Sequence, residues 1–139
     1  LSFQKNLEKY LDVKHAIPCA NGTDALQVAL MSLGLEEGAE VITTSFTFVA
    51  TVEVIELLKL KPVLVEVDPD TFNICPLAIE KAITPKTKVI IPVHLFGQSV
   101  DMEPIMQLAE KYNLCVIEDN CQAIGADYKL HARASLKAS

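Results

Sequence analysis

No run of apolar residues approaches the roughly 20 needed to span a bilayer, and the opening LSFQKNLEKY is charged where a signal peptide would be apolar. These absences point away from a membrane and from export, so a cytoplasmic protein is expected. The chain opens on Leu1 rather than Met, and its first residue does not define a native N-terminus. Clusters of Lys and Arg are also missing, and the net charge is −6; a nucleic-acid binder, which needs clustered cations against phosphates, is therefore not expected. The four cysteines, Cys19, Cys75, Cys115 and Cys121, form no CxxC pair and no Cys/His spacing suited to zinc. With half its residues apolar, the chain can bury a core without disulfide staples, so reduced thiols and no metal centre are expected. Glycine is scarce too, five residues against seven prolines in 139, which excludes fibrous and low-complexity chains and leaves one globular domain. The partners to expect are small molecules and other protein chains.

What is present is an alternation of helical and strand patterns. Phe3, Leu7, Tyr10 and Leu11 share one helical face and Gln4, Lys5, Glu8 and Lys9 the other, which predicts an amphipathic helix ending near Asp12. HAIPCA reads as a short strand broken by NGT. From Thr23 the pattern DALQVALMSL is helical and stops at Gly34, a suitable C-terminal cap. EVIT is a strand. FVATVEVIELLKL exceeds strand length and spaces its charges at Glu53, Glu56 and Lys59, so it is read as a helix. KPVLVEVD is a strand closed by Pro69 and Asp70, and CPLAIEKAI a helix with Pro76 in its first turn. TKVIIPV is a buried strand, DMEPIMQLAEKY a helix capped by Asp101, and LCVIED a final strand.

Nearly continuous apolar strands such as KVIIPV and LCVI, each preceded by an amphipathic helix, require a parallel sheet covered on both faces. The expected fold class is thus α/β, a mostly parallel sheet with helices on both faces. Ligands of such sheets bind beyond the carboxyl ends of the strands, so ANGTD, TSFTF, HLFGQ and EDNCQ are where chemistry is to be sought. There is no internal repeat. The last eleven residues, KLHARASLKAS, carry three Lys/Arg, one His and no acid. Residues 1–128 are read as the domain, and residues 129–139 as an atypical, appended tail.

Three constellations carry chemistry. In NGTDAL, the free N–H groups of Gly22, Thr23 and Asp24 open a helix and, with the positive end of its dipole, face the ligand side, an arrangement suited to a phosphate monoester. Gly22 allows close approach and the Thr23 hydroxyl adds a donor; an ordinary capped helix start has the same pattern. TSFTFVA leaves two aromatic rings after a strand. Phe46 or Phe48 could offer a flat face to a planar heteroaromatic ring, or pack beneath the loop. VIEDNCQA places Glu118 and Asp119 at a strand exit on opposite faces, so only one can address a ligand on a given face. Asp119 is the better placed, and a rigid carboxylate there would keep a ring nitrogen protonated; its alternative role is to cap the following turn. His94, after the strand in PVHLFGQ, is read as hydrogen-bonded and structural.

Phosphate cradle, aromatic platform and rigid carboxylate together match the parts of a pyridoxal phosphate (PLP) site. The sequence resembles the DegT/StrS-like sugar aminotransferases of PLP fold type I, which convert keto groups of nucleotide-linked sugars into amines. NGTDAL, EVITTSFTFVAT, PVLVEVDPDTFNI, TKVIIPVHLFGQ and VIEDNCQAIGA stand in that family's order and spacing, across nearly all of residues 3–127. The resemblance implies an aspartate aminotransferase-like large domain, PLP as cofactor, a keto-sugar nucleotide and glutamate as substrates, and a homodimer or higher oligomer. It further implies that Thr23 and Asp24, beside Gly22, hold the cofactor phosphate. Phe48 would stack on the pyridine ring, Asp119 pair with its nitrogen, and Gln122 lie near the ring or its hydroxyl.

One departure bears on activity. In the family, the strand corresponding to EDNCQAIGA is followed by a stretch with a phosphate-binding serine and the Schiff-base lysine, then by a small C-terminal domain. Here DYKLHARASLKAS follows instead. The chain is accordingly expected to be the N-terminal part of the large domain, with no catalytic lysine present and no turnover of its own. Two other readings stay open at this point: a PLP-dependent sugar dehydratase of the same family, and a non-catalytic binding or oligomerisation module.

Overall fold

The computed structural model describes residues 2–128; the expected tail at 129–139 lies outside the described residues. Its elements run α1 (Ser2–Leu11), α2 (Gly22–Ser32), β1 (Glu40–Thr44), α3 (Ala50–Leu57), β2 (Lys61–Val65), α4 (Pro76–Ala82), β3 (Thr87–Ile91), α5 (Met102–Tyr112) and β4 (Cys115–Val116), with a 3-10 turn at Leu95–Gly97 before α5. The four strands form one parallel sheet in the order β2-β1-β3-β4. The chain moves from β1 outward to β2 and returns to the other side of β1 for β3, so the strand order reverses between β1 and β3. In open α/β sheets that reversal splays the flanking connections apart and leaves a crevice at the carboxyl ends.

Alternation along the strands sorts the core into two layers. Val41, Val89 and Ile91 turn to one face and pack with Leu26 and Leu30 of α2 and Val54 and Ile55 of α3. Ile42 and Ile90 turn to the other and meet Ile79 of α4 and Met102, Ile105 and Leu108 of α5. A strand buried on both faces cannot hide its polar groups in water, so the central pair satisfies them internally. Thr43, fully buried in β1, donates its hydroxyl to the carbonyl of Ile91 at 2.9 Å. At the amino end of β1 the buried Glu40 carboxylate takes Lys61 Nζ from β2 and the hydroxyls of Thr84 and Thr87. These partners, with the Thr84 hydrogen bond foremost, hold Glu40 below the usual carboxylate range.

Several expectations need correction. HAIPCA is no strand: residues 13–20 join no ladder, Ala16 bonds instead to the Gln4 and Glu8 side chains of α1, and Ile17 is 82 % exposed. LCVIED pairs as a strand only at Cys115–Val116, with a single further parallel bridge between Val93 and Asp119. Asp101 occupies the N-cap position of α5, yet its side chain makes no capping bond and instead accepts the hydroxyl of Tyr128. The helix signals hold elsewhere. Pro76 opens α4, and Gly34 takes φ +59° beyond α2, the left-handed conformation that glycine adopts at least cost.

Truncating Ile90→Ala at the centre of β3 removes a fully buried side chain from the α4/α5 layer and is expected to cost about 2–5 kcal/mol. Urea denaturation checks this; an unchanged midpoint would mean that the layer is not tightly packed.

Candidate active site

Beyond the carboxyl ends of the strands lies a cavity of about 220 Å³ lined by residues from the start of α2, from the turn after β1 and the start of α3, from Val93 just past β3 and from the segment after β4. Five of the six residues singled out in the sequence line it: Gly22, Thr23, Phe48, Asp119 and Gln122. Asp24 is not among them. Its amide is capped by Asn21 Oδ1 at 2.9 Å, and its carboxylate accepts the Asn21 side-chain amide at 3.0 Å. Of the three N–H groups assigned to an anion, those of Gly22 and Thr23 keep the first-turn position in which a helix offers no carbonyl partner. The cradle also differs from expectation in its support: the segment before it is the irregular stretch at 13–20, not a strand.

Asp119 owes its position to the backbone. Its N–H donates to the Pro92 carbonyl at 2.9 Å, and its carbonyl accepts the His94 N–H at 3.0 Å, so a residue just past a two-residue strand is latched to the end of β3. The side chain is buried: Oδ2 accepts the Thr51 hydroxyl at 2.9 Å and Oδ1 the Cys121 N–H at 3.3 Å. Glu118 turns the other way, as strand alternation requires. Its Oε2 lies 2.9 Å from His94 Nε2, while His94 Nδ1 accepts the Val100 N–H at 3.0 Å. That acceptor role puts the ring proton on Nε2, facing Glu118. The hydrogen bond from His94 holds the Glu118 carboxyl below its usual range against the opposing effect of partial burial. His94 is thus tied into the β3 exit and does not line the cavity.

The two phenylalanines separate. Phe46 packs on Phe72 and Phe96, with ring centroids 5.8 and 6.2 Å away, whereas Phe48 faces the cavity. Phe72 and Phe96 both have positive φ, 58° and 54°, an uncommon backbone state for aromatic residues. Gln122 accepts the Phe96 N–H at 2.9 Å, which ties the turn after β4 to the turn after β3. A Cβ on Gly22 would stand 2.6 Å from Cys121 Sγ, so glycine is what lets the start of α2 approach that turn. Cys121 is exposed as a residue, but its thiol faces Gly22 and Asp119. Loss of solvent there, then the hydrogen bond and charge of Asp119, push the thiol up to about 11.

Sequence reasoning missed Thr47 and Thr51, which line the cavity with Leu26, Ala50, Val93 and Cys121. Their spacing of four, flanking the entry to a helix in TFVAT, was the available signal. Among the described residues no lysine lines this cavity, and Lys59, Lys61 and Lys111 are paired elsewhere with Glu37, Glu40 and Glu80. A larger hollow of about 540 Å³ lies at the amino ends of the strands, where its charged residues, Glu36, Glu37, Lys86 and Lys88, are all exposed. Volume favours that hollow, but buried polar groups that converge on one space favour the smaller one. The described residues contain no group of three or more His, Cys, Asp or Glu able to hold a metal ion, and no helix long and apolar enough to cross a membrane.

A parallel sheet whose carboxyl edge gathers a carboxylate, an aromatic ring and a helix N-terminus presents the three kinds of group that a pyridoxal phosphate site needs. The chain belongs to the DegT/DnrJ/EryC1/StrS aminotransferase family, whose profile matches residues 1–137. It is 52 % identical over 126 residues to the UDP-2-acetamido-2-deoxy-3-oxo-D-glucuronate aminotransferase of Pseudomonas aeruginosa, a match that covers 91 % of this chain and 35 % of that protein. It is 46 % identical over 123 residues to the 3-oxo-glucose-6-phosphate:glutamate aminotransferase of Bacillus subtilis, covering 88 % and 28 %. The solved structure of NtdA from Bacillus subtilis with bound PMP, the amine form of the cofactor, superposes with a TM-score of 0.87 at 46 % identity, over 89 % of this chain and 28 % of that one. Pyridoxal phosphate is the cofactor of this family. The chain spans about a third of the length of the curated relatives it matches.

Two outcomes follow from the titrating groups. With the Cys121 thiol near 11, about one molecule in a thousand carries the thiolate at pH 8, so iodoacetamide should modify Cys121 slowly and Asp119→Asn should accelerate it. Peptide mass mapping reads this; an ordinary thiol rate at Cys121 would contradict the placement. For Glu118 the folded value is depressed, so its contribution to stability is complete above the ordinary value of 4.5 and is lost as pH falls through the folded one. Glu118→Gln should therefore lower the urea midpoint near neutrality, and the gap to the unmodified chain should close in acid. A gap that persists in acid would sever the effect from the His94 pair.

Proposed function

We propose that the chain forms the cofactor-binding part of a PLP-dependent aminotransferase that moves an amino group from glutamate to a keto-sugar nucleotide. The observation that carries this reading is the convergence of the α2 N-terminus, Phe48, Asp119 and Gln122 on one cavity. The donor set suits the cofactor: two first-turn N–H groups and a hydroxyl for a dianionic phosphate, a ring face for a pyridine, and a buried carboxylate for its nitrogen. At about 220 Å³ the cavity is below the roughly 300–1,000 Å³ of complete ligand pockets, so further walls are to be supplied from outside the described residues.

Bound there, pyridoxal phosphate supplies an electron sink for a carbon that gives up a proton. The chain's own residues bind and orient. Gly22 and Thr23 hold the phosphate, and Asp24 supports them from behind by holding Asn21 in its capping position. Phe48 fixes the plane of the ring, Asp119 holds the proton on the ring nitrogen, and Gln122 borders the ring from the turn after β4. The names of the relatives support both substrates: one acts on a UDP-linked 3-oxo sugar and one carries glutamate in its name. Among the described residues no amine that could form the covalent link lines the cavity, and residues 2–128 by themselves are proposed to bind cofactor without transaminating.

Titration of the labelled chain with PMP, followed by amide NMR, tests the reading. The Gly22 and Thr23 amides are expected to shift first and furthest, and inorganic phosphate should move the same pair. Shifts confined to other regions would overturn the phosphate assignment. Asp119→Asn should leave the phosphate response intact while weakening PMP about tenfold, since an amide cannot provide the charge that a pyridinium needs. Unchanged PMP affinity would remove Asp119 from the site.

A further inference from the structure

We infer that Thr51 is a positioning residue of this site: its hydroxyl fixes the Asp119 carboxylate toward the pyridine nitrogen, and Thr47 fixes that hydroxyl in turn. The inference rests on the proposed pyridoxal site and adds residues to it.

The directions of the hydrogen bonds follow from proton counting. Thr51 is 1 % exposed and its Oγ1 lies 2.9 Å from Asp119 Oδ2. An ionised carboxylate only accepts, so the single hydroxyl proton of Thr51 is committed to it. Thr47 Oγ1 lies 3.2 Å from Thr51 Oγ1, and with the Thr51 proton already used, Thr47 must be the donor in that contact. The relay therefore runs one way, from Thr47 to Thr51 to Asp119. Both threonines line the cavity, and both belong to the turn and first helical residues that carry Phe48, whose carbonyl accepts the Thr51 N–H at 3.2 Å. On the other side the Cys121 N–H reaches Oδ1. Each carboxylate oxygen thus takes one donor, from two separate connections, and the plane of the carboxylate is held between them.

This arrangement does more than satisfy a buried charge. The residue proposed to stack on the ring and the residue proposed to hold its nitrogen are linked through one helix entry, so the spacing between ring plane and carboxylate is set by a segment of five residues, 47–51. A hydroxyl lost from Thr51 leaves Oδ2 buried without its donor, and the carboxylate is then free to turn away from the ligand.

The test uses PMP labelled with ¹⁵N in the ring and the chain in four forms: unmodified, Thr51→Val, Thr51→Ser and Thr51→Val combined with Asp119→Asn. Valine keeps the shape and removes the hydroxyl; serine keeps the hydroxyl. At a pH above the ring nitrogen's value in free PMP, the ¹⁵N shift should report a protonated nitrogen in the unmodified and Thr51→Ser complexes and an unprotonated fraction in Thr51→Val. PMP affinity should fall about tenfold in Thr51→Val alone, and Thr51→Val should add nothing in the Asp119→Asn background. Equal shifts and affinities in Thr51→Val and the unmodified chain overturn the inference and leave the cofactor site standing. So does a Thr51→Ser chain as impaired as Thr51→Val, or a full additional loss in the Asp119→Asn background. Failure of the unmodified chain to bind PMP overturns the proposed site, and the inference with it. Should Thr51→Val not fold by circular dichroism, Thr47→Val, which breaks only the outer link, takes its place and should shift the ring nitrogen in the same direction by a smaller amount; no shift overturns the relay.

Discussion

The site depends on one latch. Asp119 lies beyond the last regular pair of β4, where a chain would ordinarily drift, yet its N–H and C=O both bond to the backbone around Val93 at the end of β3. Two backbone hydrogen bonds on one residue fix its φ and ψ and aim its side chain into the sheet's upper crevice. Everything else at the site is measured from that carboxylate: Thr51 and Cys121 orient it, Phe48 borders the same cavity, and the α2 N-terminus closes the far wall. His94 contributes twice without facing the cavity, through its N–H to the Asp119 carbonyl and through its ring to Glu118.

The latch is anchored on a strand that is buried against helices on both faces. Ile90 and Ile91 face opposite layers, so β3 is clamped between α2/α3 and α4/α5, and β1 beside it is buried at every residue. Burying both faces of a parallel pair stabilises it mainly through removal of apolar surface from water, while Thr43 and Glu40 show how the polar residues in that pair are satisfied without solvent. The polar groups at the two ends of the sheet serve different ends. At the amino end, Glu40 draws β1, β2 and the start of β3 together. At the carboxyl end, the polar side chains of Thr23, Thr47, Thr51, Asp119 and Gln122 line one cavity.

Much of this was legible in residue patterns. The period of the helices, the unbroken apolar strands, Pro76 at a helix start and Gly34 at a helix end follow from local physics that tertiary structure did not override. The placement of Glu118 and Asp119 on opposite sides followed from strand alternation alone. What could not be read were features set by long-range partners. Residues 13–20 have strand-like composition but no strand beside them, so Ile17 is left in solvent. Asp101 has the composition of a cap but meets Tyr128 instead. Thr47 and Thr51 looked like turn and helix residues because the carboxylate that Thr51 bonds lies 68 positions away. Asp24 reads as facing an anion because its amide is in the first turn, whereas that amide is already bonded to the side chain of Asn21, three residues earlier.

The most direct measurement is a crystal structure of the chain with PMP bound. The ring nitrogen is expected within hydrogen-bond distance of the Asp119 carboxylate, about 2.6–3.2 Å, with the ring face on Phe48 and the phosphate on the Gly22 and Thr23 amides. A ring nitrogen directed away from Asp119, or a phosphate bound elsewhere on the sheet, would contradict this placement.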